Sequence, residues 1–162
     1  IGGLGQEEAI LKALDHSKPP SAVQCVVNPL NSAGAIGYVS ENFNPHSVLS
    51  ACQHHKIPIL AIRAVQAGAL TSAMDRLPHS SGFDQSDFED FRKAQPFRDL
   101  ASDWNESPAS LAHRYALSMR DVSSVILGVK NRKELIECIE AEERGTLSQV
   151  EIQQIENCIK ES

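Results

Sequence analysis

The sequence predicts an α/β fold of four parallel strands alternating with helices, the arrangement of the second half of a (β/α)8 TIM-type barrel. Three observations carry this expectation. Short apolar runs at 1–3, 22–27, 57–62 and 122–127 have the length of strands, and helical periodicity promptly follows every one but the third. Such alternation implies parallel βαβ units with right-handed crossovers. The last strand runs into a glycine turn and a basic helix start, SSVILGVKNRKELIEC at 123–138, where barrels of this class commonly hold phosphate.

Residues 1–3 read as a strand stub, followed by a helix from about Gln6 to His16 with Ala9, Ile10, Ala13 and Leu14 on one face. Pro19-Pro20 ends it, and Ala22 to Val27 is the second strand. A helix from Pro45 to Lys56, with Val48, Leu49 and Cys52 inward, leads to the third strand, Ile57 to Ile62. The next stretch, about 63–106, is expected to be a long lid loop: its middle, HSSGFDQSDFEDF, is polar and acidic with three phenylalanines as apolar anchors. Order returns at Phe97, Leu100, Ala101 and Trp104, one helical face. Ser107-Pro108 then pairs an N-cap with proline at the first helical position and opens SPASLAHRYALSM, with Leu111, Ala112 and Tyr115 facing the core.

The fourth strand, Val122 to Leu127, carries Val122, Val125, Ile126 and Leu127 and is expected to be buried on both faces. Asn131 and Glu134 form a capping box, and Leu135, Ile136 and Ile139 supply the apolar stripe of the helix behind it. A last helix spans about 148–160, capped by Ser148 and Glu151 and stapled by Leu147 on Ile152.

The 162 residues suit one domain, and 41% hydrophobic content is enough for a core. With 21 acids against 15 bases the chain carries −6, which argues against a nucleic-acid partner. No apolar run approaches the roughly 20 residues that cross a membrane, and no secretory leader is evident. The opening IGGLG reads as a chain entered part-way through a fold. Cys25, Cys52, Cys138 and Cys158 show no C-x-x-C pairing, so reduced thiols in a cytoplasmic protein are expected. His54 and His55 are adjacent, and His79 and His113 lack partners at ligand spacing, so no metal site is expected.

One feature of the 123–138 stretch runs against helix electrostatics. Lys130, Arg132 and Lys133 crowd the positive end of a helix macrodipole, and an anion would relieve them. Free backbone N–H groups and Gly128 nearby make a natural phosphate site, although the same residues also read as a solvated basic turn.

Four blocks, VQCVVNPLN from Val23, HKIPILAIRAVQAGALT from His55, NESPASLAHRYALS from Asn105 and SVILGVKNRKELIEC from Ser124, together resemble the C-terminal half of the aldo-keto reductase family. The resemblance implies hydride transfer from a nicotinamide cofactor to a small carbonyl substrate, with NADP as cofactor and NAD possible. It places Gln24 at the nicotinamide carboxamide and the loop Arg63 to Leu70, with Gly68 and Leu70 retained, over the pyrophosphate. It places Gly128, Val129, Lys130, Asn131 and Glu134, beside the cation Lys133, at the adenosine 2′-phosphate, and Glu137 with Cys138 at the adenine. Departures from the family pattern are Ile62 for a tyrosine, Arg63 for a serine, Leu4-Gly5 for Ser-Asn, Cys138 for an asparagine and Glu134 for an arginine.

The family's catalytic tyrosine, lysine, aspartate and histidine belong to the first half of the barrel, ahead of Ile1, so no catalytic residue is expected in this chain. Tyr38 and Tyr115 are read as structural. The implied partner is the missing N-terminal half of the barrel or a second copy of the fragment, whose unpaired strand edges invite association. Two other readings stand beside this one: a non-catalytic nucleotide-binding regulatory relative, and a different barrel enzyme with a phosphorylated substrate.

Overall fold

Strands form where the β-branched and apolar runs stand, and the computed structural model describes residues 1–2, 7–37 and 44–160. β1 (Val23–Val26), β2 (Ile59–Ile62) and β3 (Val122–Val125) make a parallel sheet in that order. Val23 to Val26 pair in register with Ile59 to Ile62, whereas the β2–β3 ladder slips between Ile59 and Leu60. The strand stub at the start is a single bridge, Gly2 to Gln24, fixed by a 2.7 Å bond from the Gln24 N–H to the Ile1 carbonyl. The described residues thus hold three strands and a stub where four strands were expected, and Leu4, Gly5 and Tyr38 lie outside them.

Helices α1 (Glu7–Leu14) and α2 (Pro45–His55) cover one face of the sheet. Ile10 and Leu14 from α1, and Val48, Leu49 and Cys52 from α2, pack on Val23, Cys25, Ile59 and Ala61, all buried. α5 (Pro108–Ser118) links this core to a second one, since Ala116 belongs to the first while Leu111, Ala112 and Tyr115 belong to the second. The second core is completed by Phe97 and Ala101 of α4 (Gln95–Asp103), by Ile152 and Ile155 of α7 (Gln149–Lys160), and by Leu147. Ser107 caps α5 by accepting from the Ser110 N–H at 3.1 Å, and Ser148 and Glu151 form the expected reciprocal cap of α7. No helix among the described residues is long and apolar enough to cross a membrane.

Two expectations need correction. The segment taken for a lid loop at 63–106 is helical in its second half, where α3 (Gln85–Lys93) joins almost directly to α4. The buried side of α3 and its start is acidic: Asp84, Asp87 and Asp90, spaced three apart on one face, are 3–6% exposed, while the expected anchor Phe83 is 64% exposed. Those carboxylates are satisfied by cations and amides of the preceding loop, so α3 is ordered through its acids, whereas α4 packs through Phe97 and Ala101.

The second correction concerns β3 and α6 (Arg132–Glu143), expected to be buried. Ser123 and Ser124 are exposed, Ile126 and Leu127 are more than 40% exposed, and so are Ile136 and Ile139 of the α6 stripe, with Leu135 at 40%. β3 is the edge of the sheet, and α6 turns only Cys138 and Ala141 inward. Val122 and Val125 still pack against the first core, while the apolar stripe of α6 stays about half exposed.

Candidate functional site

The loop after β2 and the turn after β3 leave the sheet at the same end, as parallel strands require, and they face each other across a cleft of about 440 Å³. One wall is the loop from Val65 to Arg76; the other is Gly128 to Lys130 and the first two turns of α6, with Ala109 and His113 of α5 behind. Eight of the twelve residues expected to bind cofactor line it: Gly68, Gly128, Val129, Lys130, Lys133, Glu134, Glu137 and Cys138.

The remaining four sit elsewhere. Asn131 is the N-cap of α6, its Oδ1 accepting from the Glu134 N–H at 3.1 Å. Gln24 is exposed on β1 and does not line the cleft. Leu70 is fully buried in the second core. Arg63, at a positive φ of 60°, turns into the protein: its guanidinium donates to the Ala33 carbonyl at 2.5 Å, to Gln66 Oε1 at 2.9 Å and to Asp87 Oδ1 at 3.3 Å. Burial holds its pKa below the usual arginine value, opposed by Asp87 and Asp90.

That cluster shapes the loop wall. Gln66, fully buried at φ 46°, donates to Asp90 Oδ2 at 2.6 Å, and Ala67 and Gly68 follow at φ 51° and 96°. Three consecutive left-handed residues are held by Arg76, which donates to the Ala67 carbonyl at 2.8 Å and to Asp87 Oδ2 at 2.8 Å. The buried acids of α3 therefore fix the backbone that lines the cleft.

On the opposite wall Glu134 is turned back as a cap. Its carboxylate accepts from the Lys130 N–H at 2.8 Å and from Asn131 Nδ2 at 2.9 Å, so both oxygens are engaged in the cap. Lys130 pairs with Asp75 across the cleft, linking the two walls. Lys133 lines the cleft with no ion pair among the described residues. The pattern is a helix N-terminus plus one uncommitted cation and one exchangeable one, the electrostatics that suit a phosphate group.

The inner end has different chemistry. Glu137 accepts from the Ser107 hydroxyl, which also caps α5. Cys138 Sγ lies 3.2 Å from His113 Nε2, and burial, then Glu137 and Glu134, raise its thiol pKa. His113, missed by sequence reasoning because its only signal is spatial, is 8% exposed, and burial lowers its pKa against the pull of Glu137. Tyr115 takes no part: it is 2% exposed in the second core, its hydroxyl 3.3 Å from Glu156.

The profile of the Aldo/keto reductase family matches residues 6–160. No curated protein sequence matches the chain. Among solved structures, the fold is similar to an apo aldo-keto reductase from Bacillus halodurans, with TM-score 0.70 and 18% identity over 98% of this chain and 49% of that one. It is also similar to a glycerol dehydrogenase from Gluconobacter oxydans, with TM-score 0.65 and 17% identity over 89% of this chain and 43% of that one. The holo form of the Bacillus halodurans reductase gives TM-score 0.65 and 17% identity, over 94% of this chain and 45% of that one. The chain thus spans about half the length of these structures.

Proposed function

Because the chain belongs to the aldo-keto reductase family, we propose that it forms the cofactor-holding half of an NADP-dependent carbonyl reductase. The observation that carries the proposal is the convergence of Gly68, the Gly128 to Lys130 turn and Lys133 on one cleft at the N-terminus of α6. When bound, the nicotinamide cofactor supplies the hydride; this chain orients it. Lys133 and the first N–H groups of α6 hold the 2′-phosphate, Lys130 joins them by exchanging Asp75 for phosphate, and the Val65 to Gly68 backbone closes over the pyrophosphate. Arg63 acts from behind, by fixing that backbone.

Proton donation to the carbonyl needs a group within hydrogen-bond reach, and among the described residues no tyrosine lines the cleft. The acid and its partners come from the four βα units that complete the barrel. Those units also cover β3 and the exposed stripe of α6, with self-association of the chain as the substitute when they are missing. The reduced thiols of Cys25, Cys52 and Cys138 support a cytoplasmic setting.

The test compares Lys130→Glu and Lys133→Glu for NADP and NAD affinity at fixed salt. Lys133→Glu is expected to weaken NADP binding by about 1–3 kcal/mol and leave NAD almost unchanged, as for a hydrogen bond to a charged group. Equal responses to both cofactors would reduce the cations to a solvated turn. The 162-residue chain alone is expected to reduce no carbonyl substrate, and cofactor-dependent turnover by it would overturn that part.

A further inference from the structure

We infer that His113 reads the nucleobase at the inner end of the cleft, supplying the polar contact that Cys138 does not. The inference rests on the nucleotide reading above. His113 lies on α5 between Ala112 and Arg114, and its neighbours Leu111, Ala112 and Ala116 on that helix are fully buried. An apolar residue would pack at this position without penalty. The imidazole instead brings two nitrogens to a residue that is 8% exposed, and among the described residues His113 Nδ1 has no hydrogen-bond partner. A buried polar atom without a partner is uncommon and costly enough to need a reason.

The surroundings narrow the reason. Nε2 faces the Cys138 thiol at 3.2 Å, and burial keeps that thiol protonated. A thiol donating to Nε2 leaves the ring proton on Nδ1, so the unpartnered atom is a donor. Because burial also keeps the imidazole neutral, it offers a hydrogen bond and no charge. Beside it on the cleft wall, Glu137 presents a carboxylate, an acceptor only. A donor and an acceptor side by side, without net positive charge, are a poor phosphate site. They match a flat heterocycle whose exocyclic amine sits next to a ring nitrogen: the amine donates to Glu137, and the ring nitrogen accepts from His113 after a small rotation of the imidazole about its Cβ–Cγ bond. A 6-aminopurine has this edge. A 6-oxopurine turns an oxygen toward the carboxylate and is disfavoured.

The test titrates the 162-residue chain, as wild type, His113→Leu and His113→Gln, with NADP and with the analogue whose adenine is replaced by hypoxanthine. Wild type is expected to prefer NADP. His113→Leu is expected to lose roughly three- to tenfold in NADP affinity and little for the analogue, the scale of one neutral hydrogen bond, with His113→Gln recovering part of the loss. The imidazole nitrogen resonances of wild-type His113, followed by NMR, are expected to shift with NADP and far less with the analogue, a readout independent of whether the variants fold. If wild type binds NADP yet the resonances stay fixed, or if His113→Leu weakens both ligands equally, His113 is packing only and the inference falls while the nucleotide reading stands. If wild type binds neither ligand, the nucleotide reading falls and takes the inference with it.

Discussion

Residues 84–106 and residues 122–143 invert each other. The first buries the carboxylates of Asp84, Asp87, Asp90 and Glu106 as it folds into α3 and α4; the second leaves Ile126, Leu127, Ile136 and Ile139 more than 40% exposed. The difference teaches that composition states what a segment can bury, while its neighbours decide whether it does. Asp87 finds Arg63, Arg76 and the Ala35 N–H at 3.3, 2.8 and 2.9 Å, so its burial is compensated on every side. The α6 stripe stays about half exposed, behind the strand that ends the described sheet.

The sharpest way to break the contrast is Asp87→Ala. It leaves two partly buried guanidinium groups without their shared acid, and breaking such pairs typically costs about 3–5 kcal/mol. Denaturant unfolding measures it, and a loss below about 1 kcal/mol, the ceiling for exposed pairs, would mean the cluster is solvated after all. Next is Ile136→Lys combined with Ile139→Lys. Exposed positions usually tolerate substitution within about 0.5 kcal/mol, so stability should hold while sedimentation shows less self-association. A large loss of stability would show that the stripe is covered within the chain.

A third change probes the link between the two regions. Asp75→Asn releases Lys130 from its pair across the cleft, and NADP affinity should rise by up to about fivefold, the scale of an exposed ion pair. Unchanged affinity would mean that Lys130 does not exchange Asp75 for phosphate.

The smallest effect is with pH. Burial depresses His113 below its unfolded value near 6.5, so below that pH the unfolded chain binds a proton the folded one resists. The stability this group contributes is present above about pH 6.5 and declines as pH falls through that value, in wild type more than in His113→Gln. Thermal melts at pH 7.5 and 5.5 compare them; equal declines would place the titration elsewhere.

Local chemistry was legible in the sequence. The caps at Ser107, Asn131 and Ser148 form as their spacing indicates, and β1 and β2 fall within the expected apolar runs. The cleft was legible to the extent that neighbours in sequence are neighbours in space, as from Gly128 to Cys138. What was hidden depends on pairs distant in the chain. The family resemblance places Arg63 at the cofactor, and periodicity gives no sign of its partners Asp87 and Gln66. His113 shows no motif, since it meets Cys138 only when α5 and α6 pack.

Gly34 carries a consequence of its own. It stands at φ +55° beneath the acid cluster, where a methyl group would overlap Asp87 Oδ1 and Gln66 Nε2. Lineages that keep the acids of α3 are therefore bound to keep glycine here, and one that drops Asp87 is freed at both places at once. The two positions should be inherited as a unit, so that drift at Gly34 reports loss of the brace before any change at the cleft.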